Sequence, residues 1–147
     1  MHHSTVPQIE DAVQQTDVWL GELMVLLSCD RRDRAYYALK TVMPLLRSCL
    51  PAAEAAHLSA HLPALVRAMY FEGWRPSREP VADAEVDAFL LHISSALNTS
   101  CGKPEDVAHA IFELIARHLT PDTRARIRST LPTSVRHLWP DRHRFSA

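Results

Sequence analysis

Apolar residues recur along the chain at intervals of three and four rather than two, the period of helices that bury one face. Trp19, Leu20, Leu23, Met24, Leu26 and Leu27 form one stripe, and Ile9, Ala12, Val13 and Thr16 extend it backwards. Pro7 falls where a first helical turn tolerates proline, with Ser4 or Thr5 as the cap. Asp30 reads as the cap of a second helix and Asp33 as an acid in its first turn. The stripe of that helix is Ala35, Ala38, Leu39, Val42, Leu45, Leu46 and Cys49, and Pro44 inside it predicts a kink.

Pro51 opens a third helix whose apolar face is Ala55, Leu58 and Leu62. Pro63 lacks an amide donor, so this helix kinks there or restarts with Pro63 at its first position. Leu65, Val66 and Met69 carry the face onward. Gly73 suits the left-handed residue past the helix end, Trp74 would fold back near Met69, and Pro76 bars continuation. Residues 77–83 read as a linker, with Asp83 capping the next helix. That helix carries Val86, Phe89, Leu90, Ile93, Ala96 and Leu97. Pro104, Glu105 and Asp106 start another, with Val107, Ala108, Ile111, Leu114 and Ile115 on its face. Thr120-Pro121-Asp122 starts the last, in which Ile127 and Leu131 precede Pro132, and Val135, Leu138 and Trp139 lead to a stop at Pro140.

The second half repeats the first at a separation of 69 or 70 residues. Leu20 pairs with Leu90, and Val42, Leu45 and Leu46 pair with Ile111, Leu114 and Ile115. Leu62-Pro63 pairs with Leu131-Pro132, Val66-Arg67 with Val135-Arg136, and Tyr70 with Trp139. Two copies are fewer than a solenoid needs. The expectation is therefore an all-α fold: a compact bundle of two tandem three-helix repeats with pseudo-twofold symmetry. The whole chain, 1–147, reads as a single domain, with one unit over about 8–76 and the second over about 84–145.

The segments RAYYALKTV, LPAAEAAHL and LPALVRAMYFEGWRP resemble the bacterial family called domain of unknown function 2267. EDVAHAIFELIARHLT and LPTSVRHLWP resemble the C-terminal half of that family, so the likeness runs from about Thr5 to Trp139. It implies an all-helical bacterial protein and brings no activity, cofactor or catalytic residue with it. The chain departs from the family pattern at Pro44 and in its histidine-rich, arginine-rich tail.

Composition adds little specificity. The 147 residues are 47% hydrophobic and 22% charged, as in an ordinary globular domain with a sizeable core. Three glycines against ten prolines argue against a glycine-rich phosphate loop. No apolar run approaches the roughly 18 residues of a membrane helix, and MHHSTVPQIEDAV does not read as a secretory signal. Cys29, Cys49 and Cys101 are widely spaced and form no CxxC pair, which reads as small apolar residues in a cytoplasmic protein. Net charge is −1, but it is unevenly spread. Residues 1–30 hold five acids and no lysine or arginine, whereas residues 117–147 hold seven arginines against two aspartates.

Candidate chemistry is sparse. His57 and His61 share a helix face at the spacing of zinc ligands, but the metalloprotease glutamate is missing and the matching positions are Arg126 and Thr130. A boundary histidine pair is the plainer reading, and no metal or other cofactor is expected. Arg67 and Arg136 are the leading interaction residues because the chain repeats them, each three residues before Tyr70 or Trp139. Either could grip an anion beside the ring, or pair internally with an acid such as Glu22. Tyr36, Tyr37, Phe71 and Trp74 complete an aromatic surplus that could anchor an interface. No nucleophile elbow or acid–base pair is evident, so no enzyme is expected. The reading is a non-catalytic helical module that binds protein, chiefly itself as a homodimer. The alternative is nucleic-acid binding through the C-terminal arginines, although Arg124, Arg126 and Arg128 alternate and spread around a helix.

Overall fold

The computed structural model describes residues 6–75, 86–97 and 102–140. The caps expected at Ser4, Thr5 and Asp83, the stop at Pro76, the linker 77–83, Cys101 and the tail beyond Pro140 lie outside these residues. The described residues form eight helices and no strand. They are α1 (Pro7–Leu27), α2 (Arg32–Ser48), α3 (Ala52–Ser59), α4 (Ala64–Phe71), α5 (Val86–Leu97), α6 (Pro104–Arg117), α7 (Pro121–Thr130) and α8 (Thr133–Arg136).

Two helices occupy the middle. α2 packs against α1, α4, α5 and α6, and α6 packs against α1, α5 and α2. Buried side chains from all eight helices join one apolar cluster. The stripe predicted for α2 is the face it buries, with Leu45 only half-buried and Met43 added. α6 buries more than one face: Ala110, Phe112, Glu113 and Ala116 are enclosed along with the predicted stripe. A helix covered by three neighbours has no solvent side to keep polar.

Several local expectations are corrected. The α1 N-cap is Val6, and the N-cap of α2 is Arg31, not Asp30. Arg31 instead clamps Asp33, with Nε donating to Oδ1 at 3.1 Å and Nη2 to Oδ2 at 2.7 Å. That bidentate contact holds the Asp33 carboxyl below the usual carboxylate range. α2 continues through Pro44 without ending. Pro63 and Pro132 sit at the N-caps of α4 and α8, with extended ψ of 155° and 143°, so the third helix of each half is two separate helices.

Two left-handed residues close helices. Gly73 takes φ 73° after α4, as expected, and the Trp74 N–H donates to the Phe71 carbonyl at 3.0 Å. With Glu72 at φ −57°, ψ 120°, these four residues form a type II turn. Nothing lies near the position a Cβ would take on Gly73, so the demand for glycine there is purely conformational. Ser28 ends α1 at φ 52°, ψ 44°, and the Cys29 N–H donates to the Met24 carbonyl at 2.9 Å. This is a Schellman-type end built on serine, which is strained in that region. Ser28→Gly is expected to raise stability by about 1 kcal/mol, or about 3 °C in Tm, in thermal unfolding monitored by circular dichroism. An unchanged Tm would show that the serine is unstrained.

Candidate functional site

The two repeated arginines act at the two leucine-proline breaks. A proline cannot supply the amide that would donate to the carbonyl four residues back. At the first break that carbonyl belongs to Ser59. It receives the Leu62 N–H at 3.1 Å and the Arg67 Nε at 3.0 Å. Arg67 Nη2 also donates to the Leu62 carbonyl at 2.9 Å. At the second break Arg136 Nη2 donates to the Ser129 and Leu131 carbonyls at 3.3 and 3.1 Å. Both arginines therefore cap the end of the preceding helix, where the partial negative charge of the macrodipole also favours a cation. Glu22 takes neither arginine: it faces His118.

Tyr70 and Trp139, expected at an interaction surface, belong to the core. Tyr70 is fully enclosed and its hydroxyl donates to the Ala55 carbonyl at 2.7 Å. Burial pushes its phenol far above the ordinary value. Trp139 is 4% exposed and lies 5.8 Å from the Phe112 ring. Trp74 is half-buried, folds back on the last turn of α4 and packs on Phe71 at 5.0 Å. Of the aromatic surplus, Tyr37 is the exposed member, at 58%.

One residue that sequence reading passed over is central. Arg47 is buried on α2, where Nη1 donates to the Tyr70 and Glu72 carbonyls at 3.2 and 2.7 Å. A charged residue four positions after Met43 and three before Leu50, on the apolar face, was the available signal. In the other half His109 Nδ1 donates to the Leu138 carbonyl at 2.9 Å, fixing α8 to α6 in the same manner.

His57 and His61 meet edge to face at 5.7 Å. Among the described residues no group of three or more His, Cys, Asp or Glu is placed to hold a metal ion. No helix among them is long and apolar enough to cross a membrane. Cys49 is buried on its stripe and Cys29 is half-buried. Arg124, from the basic α7, points back to the Ala116 carbonyl at 3.5 Å.

Two surface features remain, both on α1. The first is apolar. No residue of α1 before Thr16 is buried, over about 13 Å of helix at 1.5 Å per residue. Val6, Ile9 and Val13 are 42%, 53% and 47% exposed, in helical register with the buried Thr16 and Leu20. The expected extension of the core stripe through Ile9 and Val13 is thus present in sequence but uncovered in space. The second feature is a groove of about 430 Å³ between the first half of α1, Pro63 at the α3–α4 break and His118 at the end of α6. His118 stacks on Trp19 with ring centroids 4.5 Å apart and planes 21° apart. Its Nε2 donates to Glu22 Oε2 at 2.9 Å, which pins the imidazole against the indole.

Two outcomes follow from these assignments. Arg67→Ala and Arg136→Ala are each expected to cost about 1–2 kcal/mol in chemical denaturation, by removing charged hydrogen bonds to carbonyls. A purely ligand-binding arginine would leave stability unchanged. For Tyr70 the folded pKa is raised, so its contribution is complete below the unfolded value of about 10 and fades as pH rises past it, by roughly 1.4 kcal/mol per unit. Denaturation at pH 8 and 11 should show this loss in the wild type and a smaller one in Tyr70→Phe. Equal losses would place the titration elsewhere.

The family model described as "Uncharacterized conserved protein (DUF2267)" matches residues 16–138. The match covers most of the chain, which belongs to that family. No curated protein matches it.

Proposed function

We propose that this member of the DUF2267 family is a non-catalytic helical interaction module that associates with a second copy of itself through the first half of α1. The observation that carries the reading is the uncovered stripe of Val6, Ile9 and Val13, which continues the core-facing stripe beyond its buried residues. Apolar side chains aligned on one helix are stabilised by burial, and a two-fold pair of α1 helices would bury both stripes at once. Association is then apolar in origin. Nucleic-acid binding through the C-terminal arginines is the alternative; Arg124 and Arg136 are engaged with backbone carbonyls, while Arg126 and Arg128 are exposed on α7. A cytoplasmic setting remains our reading of the widely spaced cysteines.

We further infer that the bundle is two duplicated units arranged about a pseudo-twofold axis between α2 and α6. Three observations support it. α1 packs on α6 as α5 packs on α2, so the first helix of each half lies on the second helix of the other. Burial matches at the expected separation: Leu58 with Ile127, Leu62 with Leu131, Val66 with Val135 and Tyr70 with Trp139. Arg67 and Arg136 each donate through Nη2 to the carbonyl of the leucine before the proline.

Static light scattering of the wild type at high protein concentration should give the mass of a dimer, and Ile9→Lys/Val13→Lys that of a monomer. Both positions are exposed, so circular dichroism should be unchanged. A wild type that stays monomeric at high concentration and high salt overturns self-association.

A further inference from the structure

The groove beside α1 has a chemistry distinct from the apolar stripe. Asp11, Gln14 and Gln15 contribute to its lining from α1, Pro63 forms the opposite wall, and the stacked Trp19 and His118 rings lie between them. The lining contains no lysine or arginine, and none occurs in residues 1–30. α1 carries Glu10, Asp11, Asp17 and Glu22 and no lysine or arginine, with Asp17 3.7 Å from Arg32. Glu22 is occupied by His118, which leaves Asp11 and the two amide oxygens as the acceptors within the groove.

We propose that this groove binds the arginine side chain of a basic peptide. Charge complementarity selects a cation, and the shape and acceptor set select its type. A guanidinium is planar, is weakly hydrated and presents N–H groups in a fork that one carboxylate and neighbouring amide oxygens can receive together. Its aliphatic stem and flat face suit the Trp19–His118 rings. A lysine ammonium offers a point charge without the fork or the stacking face. The volume accommodates a long side chain with its flanking backbone. This site is separate from the face of Val6, Ile9 and Val13, so it stands or falls independently of self-association.

The test is fluorescence anisotropy with labelled, end-blocked pentapeptides carrying a central arginine, lysine or glutamate between alanines. The arginine peptide should bind about tenfold more tightly than the lysine peptide, and the glutamate peptide not at all. Asp11→Asn should reduce arginine-peptide binding about tenfold, while Val25→Ala, a substitution at an exposed position outside the groove lining, should leave it unchanged. Circular dichroism confirms that both variants fold. Absence of arginine-peptide binding, equal affinity for arginine and lysine, or indifference to Asp11→Asn would each overturn the proposal. Light scattering on the same samples reads self-association separately.

Discussion

A proline that follows the end of a helix leaves the last turn short of a donor, and the whole bundle depends on how this chain answers that deficit. At Leu62-Pro63 the guanidinium of Arg67 reaches back to the Ser59 and Leu62 carbonyls. At Leu131-Pro132 the carbonyl four residues before the proline is that of Arg128, and Arg136 reaches the neighbouring Ser129 carbonyl and that of Leu131. The break lets α4 and α8 leave the direction of the helix before them and return to the core. That return brings Val66, Met69 and Tyr70, and likewise Val135, Leu138 and Trp139, into the buried cluster. From the inner side Arg47 and His109 secure the ends of the same segments by their carbonyls. Helix-end carbonyls left without donors would cost stability, most of all the enclosed Tyr70 carbonyl, and four cationic or imidazole side chains supply donors at these ends.

Much of this architecture is legible in the sequence, because helix periodicity and proline position are local signals. The stripes of α2 and α6, the start at Pro104 and the left-handed Gly73 all follow from residue chemistry alone. The repeated Leu-Pro and Val-Arg pairs also pointed to residues with a shared task. Their partner in this fold was not legible, since a repeated arginine reads as an anion contact or as an internal ion pair, and the groups it meets here are backbone carbonyls, which no side-chain pattern reveals. Tyr70 and Trp139 were read as surface anchors for a similar reason: their spacing marks a face but not what covers it. Arg47 escaped notice because a single arginine within an apolar stripe is ordinarily a boundary residue with its head in water.

The same limit explains α1. Its period runs without interruption from Val6 to Leu27, yet its buried residues, Thr16, Trp19, Leu20 and Leu23, all lie in the second half. The first half presents an apolar face on one side and an acidic groove on another, and neither is needed for the core. The exposed stripe of Val6, Ile9 and Val13 is what the proposed pairing with another copy of the chain rests on. The groove has a different, polar lining on another side of the same helix.

Hydrogen exchange at low and high protein concentration reads this account most directly. Self-association through α1 predicts that amides 7–15 exchange more slowly at high concentration, while those of the buried α6 stay equally protected at both. Exchange of 7–15 that is fast and independent of concentration would contradict it.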